Sequence, residues 1–307
     1  AVCGRVSDCC FFFVRIRRPP RSTQGRSSAA SDVYKRQLID SGAGKRAGRQ
    51  VLELLEQRHL RLLAIFNTHG HGDHIGGNAY LVAHTHARVF APLHDGIVIQ
   101  YPIWGTMCTF SGVEPIRELA TPRFDPEPCA IDETVTEASV EAGGVTVQPL
   151  PLPGHTASHT GYLIDDVLFT GDILAGEQEL ANAPISYAYS ITQRLDSLNR
   201  LRNIRCSRYV LGHGHPEDDI ASLIDHNLAH IERVLELITT LVATSPLETS
   251  TLFDAVVERL CITIRNIREY YTIYPALHAY LTHLCHLGSI VPVIQQNRLL
   301  WCKSEGS

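Results

Sequence analysis

Four side chains able to hold a divalent metal ion fall within six residues in the run Thr68-His69-Gly70-His71-Gly72-Asp73-His74. Nothing else in the sequence limits the possible folds as strongly. Imidazole nitrogen and carboxylate oxygen are donors that zinc and similar ions take, and a catalytic centre keeps one position for water. On a loop, the alternate residues His69 and His71 can face one ion while Asp73 and His74 turn toward a second. A solvated turn has no reason to gather donors at this density. The run directly follows Leu62–Asn67, an apolar stretch of strand length. Loops at strand ends are where α/β proteins place sites, because the sheet holds them rigid while leaving them free of packing duty.

From Leu38 onward, short apolar runs alternate with helical stretches, the pattern of an α/β domain. Leu38-Ile39-Asp40 reads as a strand end, and Ala43–His59 carries Val51, Leu52, Leu54 and Leu55 at helical spacing. Val145–Leu152 alternates as a strand. Tyr162–Phe169 reads as a hairpin turning on Asp165-Asp166, and Gly171-Asp172 closes its second arm. After the amphipathic stretch Ile191–Ile204, the strand Arg208–Leu211 runs into Gly212-His213-Gly214-His215-Pro216. Three strand ends thus deliver three polar clusters. Pro92–Thr136, rich in Pro, Gly and aromatics, is expected to cover them. A long helix from Asp218 to Thr244 leads to a linker at Ser245-Pro246. Beyond it, helices over Leu252–Leu260 and Tyr274–Leu287 and a hairpin of Ile290–Val293 with Leu299–Trp301 give a winged-helix-like order. The predicted organisation is a leader over 1–37, a main domain over 38–240 and a small C-terminal domain over 245–307.

The leader is set apart by charge. Residues 1–37 carry eight Lys/Arg against Asp8 and Asp32, a net of +6, which leaves −11 for the rest of a chain whose formal charge is −5. An acidic body disfavours nucleic acid as a partner. Within the leader, Arg18–Gln37 resembles a translated sequencing adaptor, so the segment is expected to be non-native and disordered, with the first strands of the domain truncated. No apolar run is long enough to span a membrane. Of nine cysteines none forms a C-x-x-C pair, and scattered single thiols suit a reducing compartment, the cytoplasm.

The run His69–His74 resembles the H-x-H-x-D-H signature of the metallo-β-lactamase superfamily, and the later clusters follow in that family's order across residues 38 to about 240. The resemblance implies an α/β fold, the four-layer αββα sandwich, here with a winged-helix-like tail. It also implies that His155, in Pro153-Gly154-His155-Thr156, joins the first ion. Asp172, in Phe169-Thr170-Gly171-Asp172, would bridge both ions, and a last His in a Gly-His-Gly setting would complete the second. The implied metal ligands are His69, His71, Asp73, His74, His155, Asp172 and His213. His215 follows His213 by two residues and either suits the last position; the Gly-His-Gly context favours His213. His159 has no counterpart in the family and is expected at the surface or in a pocket wall. His84, His86, His94, His226, His230, His278, His283 and His286 are expected to be structural or exposed.

Two divalent ions bridged by Asp172, zinc by first expectation with iron or manganese also suited, would lower the pKa of a water between them toward about 7 and yield a hydroxide nucleophile. Asp73 is expected to orient that water, so Asp73 and Asp172 are the predicted catalytic carboxylates. Family members that destroy β-lactams commonly lack the bridging Asp, whereas glyoxalase II-like enzymes keep the full set. The resemblance therefore implies hydrolysis of a small-molecule ester, thioester or lactone. Two other readings are a metal-dependent RNase or phosphodiesterase, and a winged-helix DNA-binding regulator with a metal-sensing domain. A tail in which Arg259, Arg265, Arg268, Arg298 and Lys303 are balanced by Glu248, Asp254, Glu258, Glu269 and Glu305 gives phosphates little to hold. Packing over the site or homodimerisation suits that tail better.

Overall fold

The computed structural model describes residues 2–6, 9–13, 34–121 and 123–304. In chain order the elements begin with β1 (Val2–Val6), β2 (Cys9–Phe13), β3 (Tyr34–Ile39), α1 (Gly44–Gln57) and β4 (Leu60–Phe66). There follow α2 (Gly72–Ile75), α3 (Asn78–Thr85), β5 (Arg88–Pro92), α4 (Leu93–Gln100), α5 (Ile103–Thr109) and β6 (Glu133–Val135). Next come β7 (Val140–Ala142), β8 (Val145–Pro151), β9 (Thr160–Ile164), β10 (Val167–Gly171), α6 (Glu177–Asn182), α7 (Ile191–Leu201) and β11 (Arg208–Leu211). The chain ends with α8 (Ala221–Thr244), β12 (Leu247–Glu248), α9 (Thr249–Arg259), α10 (Ile267–His286), β13 (Ile290–Gln295) and β14 (Arg298–Lys303). Two compact units share these elements. The first is Ala1–Gly105, Thr121–Pro151 and Thr160–Thr170; the second is Thr106–Ala120, Leu152–His159 and Gly171–Ser307.

In the first unit, β1 to β6 form one sheet in sequence order, with β3 to β6 parallel, and β7 to β10 form an antiparallel meander. Side chains alternate faces along a strand, and here the two faces have different partners. Leu38, Ile65 and Val89 join Ala47, Val51 and Leu55 of α1 and Leu81 of α3 in one apolar cluster. On the opposite face Phe66 stacks on Phe90 at 4.5 Å and meets Tyr162 of β9 edge-on at 5.5 Å. The Tyr162 hydroxyl donates to the Asn67 carbonyl at 2.7 Å, which ties the meander to the end of β4. Helix layer, parallel sheet and antiparallel sheet are thus stacked by the period-two pattern.

The sequence boundary at residue 37 falls inside β3. Gln37 is fully buried and its Nε2 donates to the Ala142 carbonyl at 2.6 Å, so it belongs to the sheet pair rather than to a leader. Residues 1, 7, 8 and 14–33 of the expected disordered leader lie outside the described residues. The parts that are described form β1 and β2, antiparallel to each other, with β2 antiparallel to β3. Consecutive Cys and Phe residues in Cys9–Phe13 suit a strand, and β3 offers it an edge.

The second unit is mainly helical. Helix α8 packs against α7, α9, α10 and β14, and β12, β14 and β13 make a three-stranded sheet. The expected order of helix, helix and hairpin is present over 249–303, and the β13–β14 turn places Gln296 and Asn297 at φ of 49° and 64°. Such a turn matches the twist of the strands it joins. Helix α10 begins at Ile267 rather than at Tyr274. Asn266 Oδ1 accepts from Glu269 N at 3.0 Å while Glu269 Oε2 accepts from Arg265 N at 2.7 Å, a reciprocal cap that starts the helix ahead of Pro275. Among the described residues no helix is long and apolar enough to cross a membrane.

Candidate metal centre

The first unit holds four of the seven predicted ligands. Where β4 ends, Asn67 N donates to the Phe90 carbonyl and Thr160 N donates to the Thr68 carbonyl, both at 2.9 Å, so the loop leaves the sheet at a fixed point. Asp40 follows, an acidic residue that the sequence marks only as a strand end. It accepts from Thr68 N at 2.8 Å and from the Thr68 hydroxyl at 2.7 Å. With its proton given to Asp40, the Thr68 hydroxyl receives the His69 ring through Nδ1 at 2.9 Å. The imidazole proton therefore sits on Nδ1, and the lone pair of Nε2 points onward. That Nε2 lies 3.0 Å from Nδ1 of His71. Two nitrogens bound at about 2.0–2.1 Å to one tetrahedral zinc stand roughly 3.3 Å apart, so this pair is spaced as ligands of one ion are.

His71 is extended, at φ −73° and ψ 142°, and the single turn of α2 begins after it. Asp73 and His74 therefore lie on helical backbone, whereas His71 before them is extended. His74 Nδ1 meets Asp40 Oδ2 at 2.8 Å, which turns its Nε2 edge away from Asp40 and leaves its ring 4.1 Å from that of His69. A carboxylate behind a ligating imidazole fixes the tautomer and raises its basicity. Ser41 N donates to the His74 carbonyl at 2.6 Å, and Gly70 N donates to buried Asp95 at 2.8 Å. A Cβ on Gly76 would stand 2.1 Å from Gly44 N, so only glycine lets the end of α2 close onto the start of α1. Asp73 has Arg123 Nη2 at 3.7 Å from Oδ2.

The second unit holds the other three. His155 sits on a turn docked against the start of α7. Tyr189 N donates to the His155 carbonyl at 3.0 Å, Ser190 N to the Gly154 carbonyl at 3.1 Å, and the Ser197 hydroxyl to the Pro153 carbonyl at 2.7 Å. Gly154 has φ +132°, and a Cβ there would lie 2.3 Å from Arg194 N. Gly212 N donates to the Gly171 carbonyl at 3.0 Å and so brings the end of β11 beside Asp172. One oxygen of buried Asp172, Oδ2, then lies 3.4 Å from His213 Nε2 and 3.7 Å from His155 Nε2. His215, two residues on, is exposed.

His159 departs from the expected surface or pocket-wall role. It is fully buried, and its Nε2 accepts the Asp172 N–H at 3.1 Å, supporting the main chain of the carboxylate. Its position four residues after His155 carries no signal for that, because the partner is residue 172. Glu179 is raised to about 7, first by burial and then by Asp172, against the opposing pull of His213 and Arg194. The Tyr187 ring stands edge-on to His155 at 5.7 Å. Other histidines take structural places: His84 and His278 bond the carbonyls of Tyr80 and Tyr274, and His283 pairs with the Thr192 hydroxyl at 2.7 Å. Burial, then Arg233 and Arg194, pushes His230 down to about 4.

Each unit thus presents imidazole and carboxylate donors that neighbours of its own hold in place. Mixed nitrogen and oxygen donors of this kind suit zinc, iron or manganese, so the residues present fit divalent ions.

The model of the metallo-beta-lactamase superfamily matches residues 36–213. A hydroxyacylglutathione hydrolase of Methylobacillus flagellatus is 32% identical over 188 residues, covering 60% of this chain and 62% of that protein. Another of that name from Shewanella pealeana is 26% identical over 216 residues, covering 67% and 68%. The lactamase-like protein vrtG of Penicillium aethiopicum is 30% identical over 208 residues, covering 66% of this chain and 56% of that protein. The chain therefore spans about three fifths of the length of the first of these relatives. Among solved structures, a beta-lactamase domain protein from Burkholderia ambifaria superposes with a TM-score of 0.71 at 18% identity, covering 96% of this chain and 87% of that one. A metallo-beta-lactamase family protein from Thermus thermophilus gives 0.66 at 21% identity, covering 95% and 98%. With the family model matched over more than half its length and every motif of the ligand series inside the matched span, the chain belongs to the metallo-beta-lactamase superfamily and has the fold of a metallo-hydrolase.

Proposed function

We propose that this protein is a metal-dependent hydrolase that holds two divalent ions, zinc first among them, and cleaves an ester, thioester or lactone of a small molecule. His69, His71, Asp73 and His74 of the first unit and His155, Asp172 and His213 of the second would hold the ions. The observation that carries the reading is the orientation of the donors. The Asp40–Thr68–His69 and Asp40–His74 bonds set both imidazole protons on Nδ1, the arrangement a ligand needs in order to offer Nε2. Relatives named hydroxyacylglutathione hydrolase support an acyl group as the part that is cleaved.

When bound, such ions supply an acidified water and positive charge for the leaving group. The chain's own residues do the rest. Asp172 holds its carboxylate between His155 and His213, and the His159 bond to its main chain keeps it there. Asp73, with Arg123 at 3.7 Å from its carboxylate, would orient the proton of the attacking water. Cys108, Cys129, Cys206, Cys261, Cys285 and Cys302 are free thiols, which supports a cytoplasmic setting.

Metal analysis of the purified chain, together with a thioester, a lactone and bis-p-nitrophenyl phosphate as substrates, tests this reading. About two divalent ions per chain are expected, with acyl turnover that chelation abolishes and added metal restores. Two bound ions and no acyl turnover would sink it, and turnover of the phosphodiester alone would move the assignment to the phosphodiesterases.

A further inference from the structure

Helices α7, α8 and α10 of the second unit pack on one another, and each contributes a polar side chain to their interior. These are Arg194, His230 and Tyr280, which are 3%, 5% and 0% exposed. Arg194 brings a permanent charge and five N–H donors. Its Nη1 donates to the Tyr187 carbonyl at 2.8 Å, while its Nε has no hydrogen-bond partner. Among the described residues no carboxylate is in salt-bridge contact with it, although Glu179 and Asp172 both act on it electrostatically. His230 Nε2 also lacks a partner, and the Tyr280 hydroxyl has the Ser186 main chain nearby without a hydrogen bond of good geometry. A buried guanidinium with no carboxylate in direct contact and with incomplete hydrogen bonding is costly, because the interior does not replace its hydration.

The cluster adjoins the ligands of its own unit. Tyr187, which takes the Arg194 bond, is the residue whose ring meets His155, and the Arg194 main chain is the surface against which Gly154 is pressed. We propose that Arg194, with Tyr280 and His230 beside it, is an anion anchor that holds a carboxylate carried by the acyl substrate. The planar fork of a guanidinium matches a carboxylate in two-point contact. A singly charged group also fits better than a phosphate dianion where Glu179 and Asp172 are already close. The identity of the anion's carrier rests on the hydrolase reading; the anchor itself does not.

The test uses the full-length, metal-loaded chain. Calorimetry with glutarate and with inorganic phosphate is paired with kcat/KM for a glutaryl and a valeryl thioester, which differ by one carboxylate. Glutarate is expected to bind the unsubstituted chain and phosphate at least tenfold more weakly. The glutaryl thioester is expected to be preferred, and Arg194→Met to lower the glutaryl-to-valeryl ratio about fiftyfold and remove glutarate binding. Arg194→Lys, which keeps the charge, should recover part of both and guards against a simple folding defect. Absence of glutarate binding would show that the counter-ion is internal. Equal binding to Arg194→Met would place glutarate on the metals, an equal loss with both thioesters would make Arg194 merely structural, and tighter phosphate would overturn the carboxylate. If neither thioester turns over, the hydrolase reading falls while the glutarate titration still decides the anchor.

Discussion

His69, His71, Asp73 and His74 come from one loop, and their supports Asp40, Thr68 and Asp95 are short polar residues that bond the rings and main chain directly. His155, Asp172 and His213 come from three separate loops, and what holds them is mostly backbone: the turn clamped on α7, the Gly212–Gly171 bond, and His159 under Asp172. One unit fixes its donors by tautomer and the other by position. Both nevertheless rely on a glycine pressed against a helix backbone, Gly76 on Gly44 and Gly154 on Arg194. The difference teaches that donors adjacent in sequence need orienting, whereas donors far apart need first to be brought together.

The largest expected effect breaks the second set. Asp172→Ala removes its only carboxylate among the named ligands, and activity should fall by at least about a thousandfold, with metal lost in parallel. Full activity with a second ion still bound would show that the carboxylate does not bridge. Gly154→Ala tests whether position rests on the clamp. The new Cβ would stand 2.3 Å from Arg194 N at a φ of +132°, so the thermal unfolding transition should report a loss of roughly 3 kcal/mol. Gly76→Ala, with its Cβ 2.1 Å from Gly44 N, should cost a similar amount in the first unit. An unchanged melt for one and not the other would show that the two loops are not held alike. Asp40→Asn is the mildest change. Because the isosteric amide still accepts from Thr68 N but cannot serve both Thr68 and His74 as a carboxylate does, competition with a chelator should show about tenfold weaker metal binding in an intact fold. Unaltered affinity would mean that the His74 tautomer is set elsewhere.

The ligands of the first unit are legible because they lie side by side, and those of the second only as a series of weak motifs in order. Asp40 is not legible as a support because its partner His74 is 34 residues away, and a lone Asp after Leu-Ile has no local mark of that contact. The place of His159 is equally hidden, since the character of a single imidazole depends on what covers it. For α10, the helix read over Tyr274–Leu287 starts too late, because the Asn266–Glu269 cap, a readable signal, lies earlier. Charge and adaptor likeness put the leader boundary at residue 37, and neither records that Gln37 reaches Ala142 across the two sheets.

By itself the sequence determined the chemical types of the donors, the alternation of strand and helix, and the hairpin turning on Asp165-Asp166, because each depends on covalent neighbours and on a residue's own backbone preferences. Only tertiary structure decided which nitrogen of His69 and His74 carries a proton, that His213 Nε2 stands 3.4 Å from Asp172 Oδ2, and that Arg194 is buried among three helices with one hydrogen bond. Protonation, burial and ion pairing are set by whatever group the fold brings within a few ångströms, and that group is seldom near in the chain.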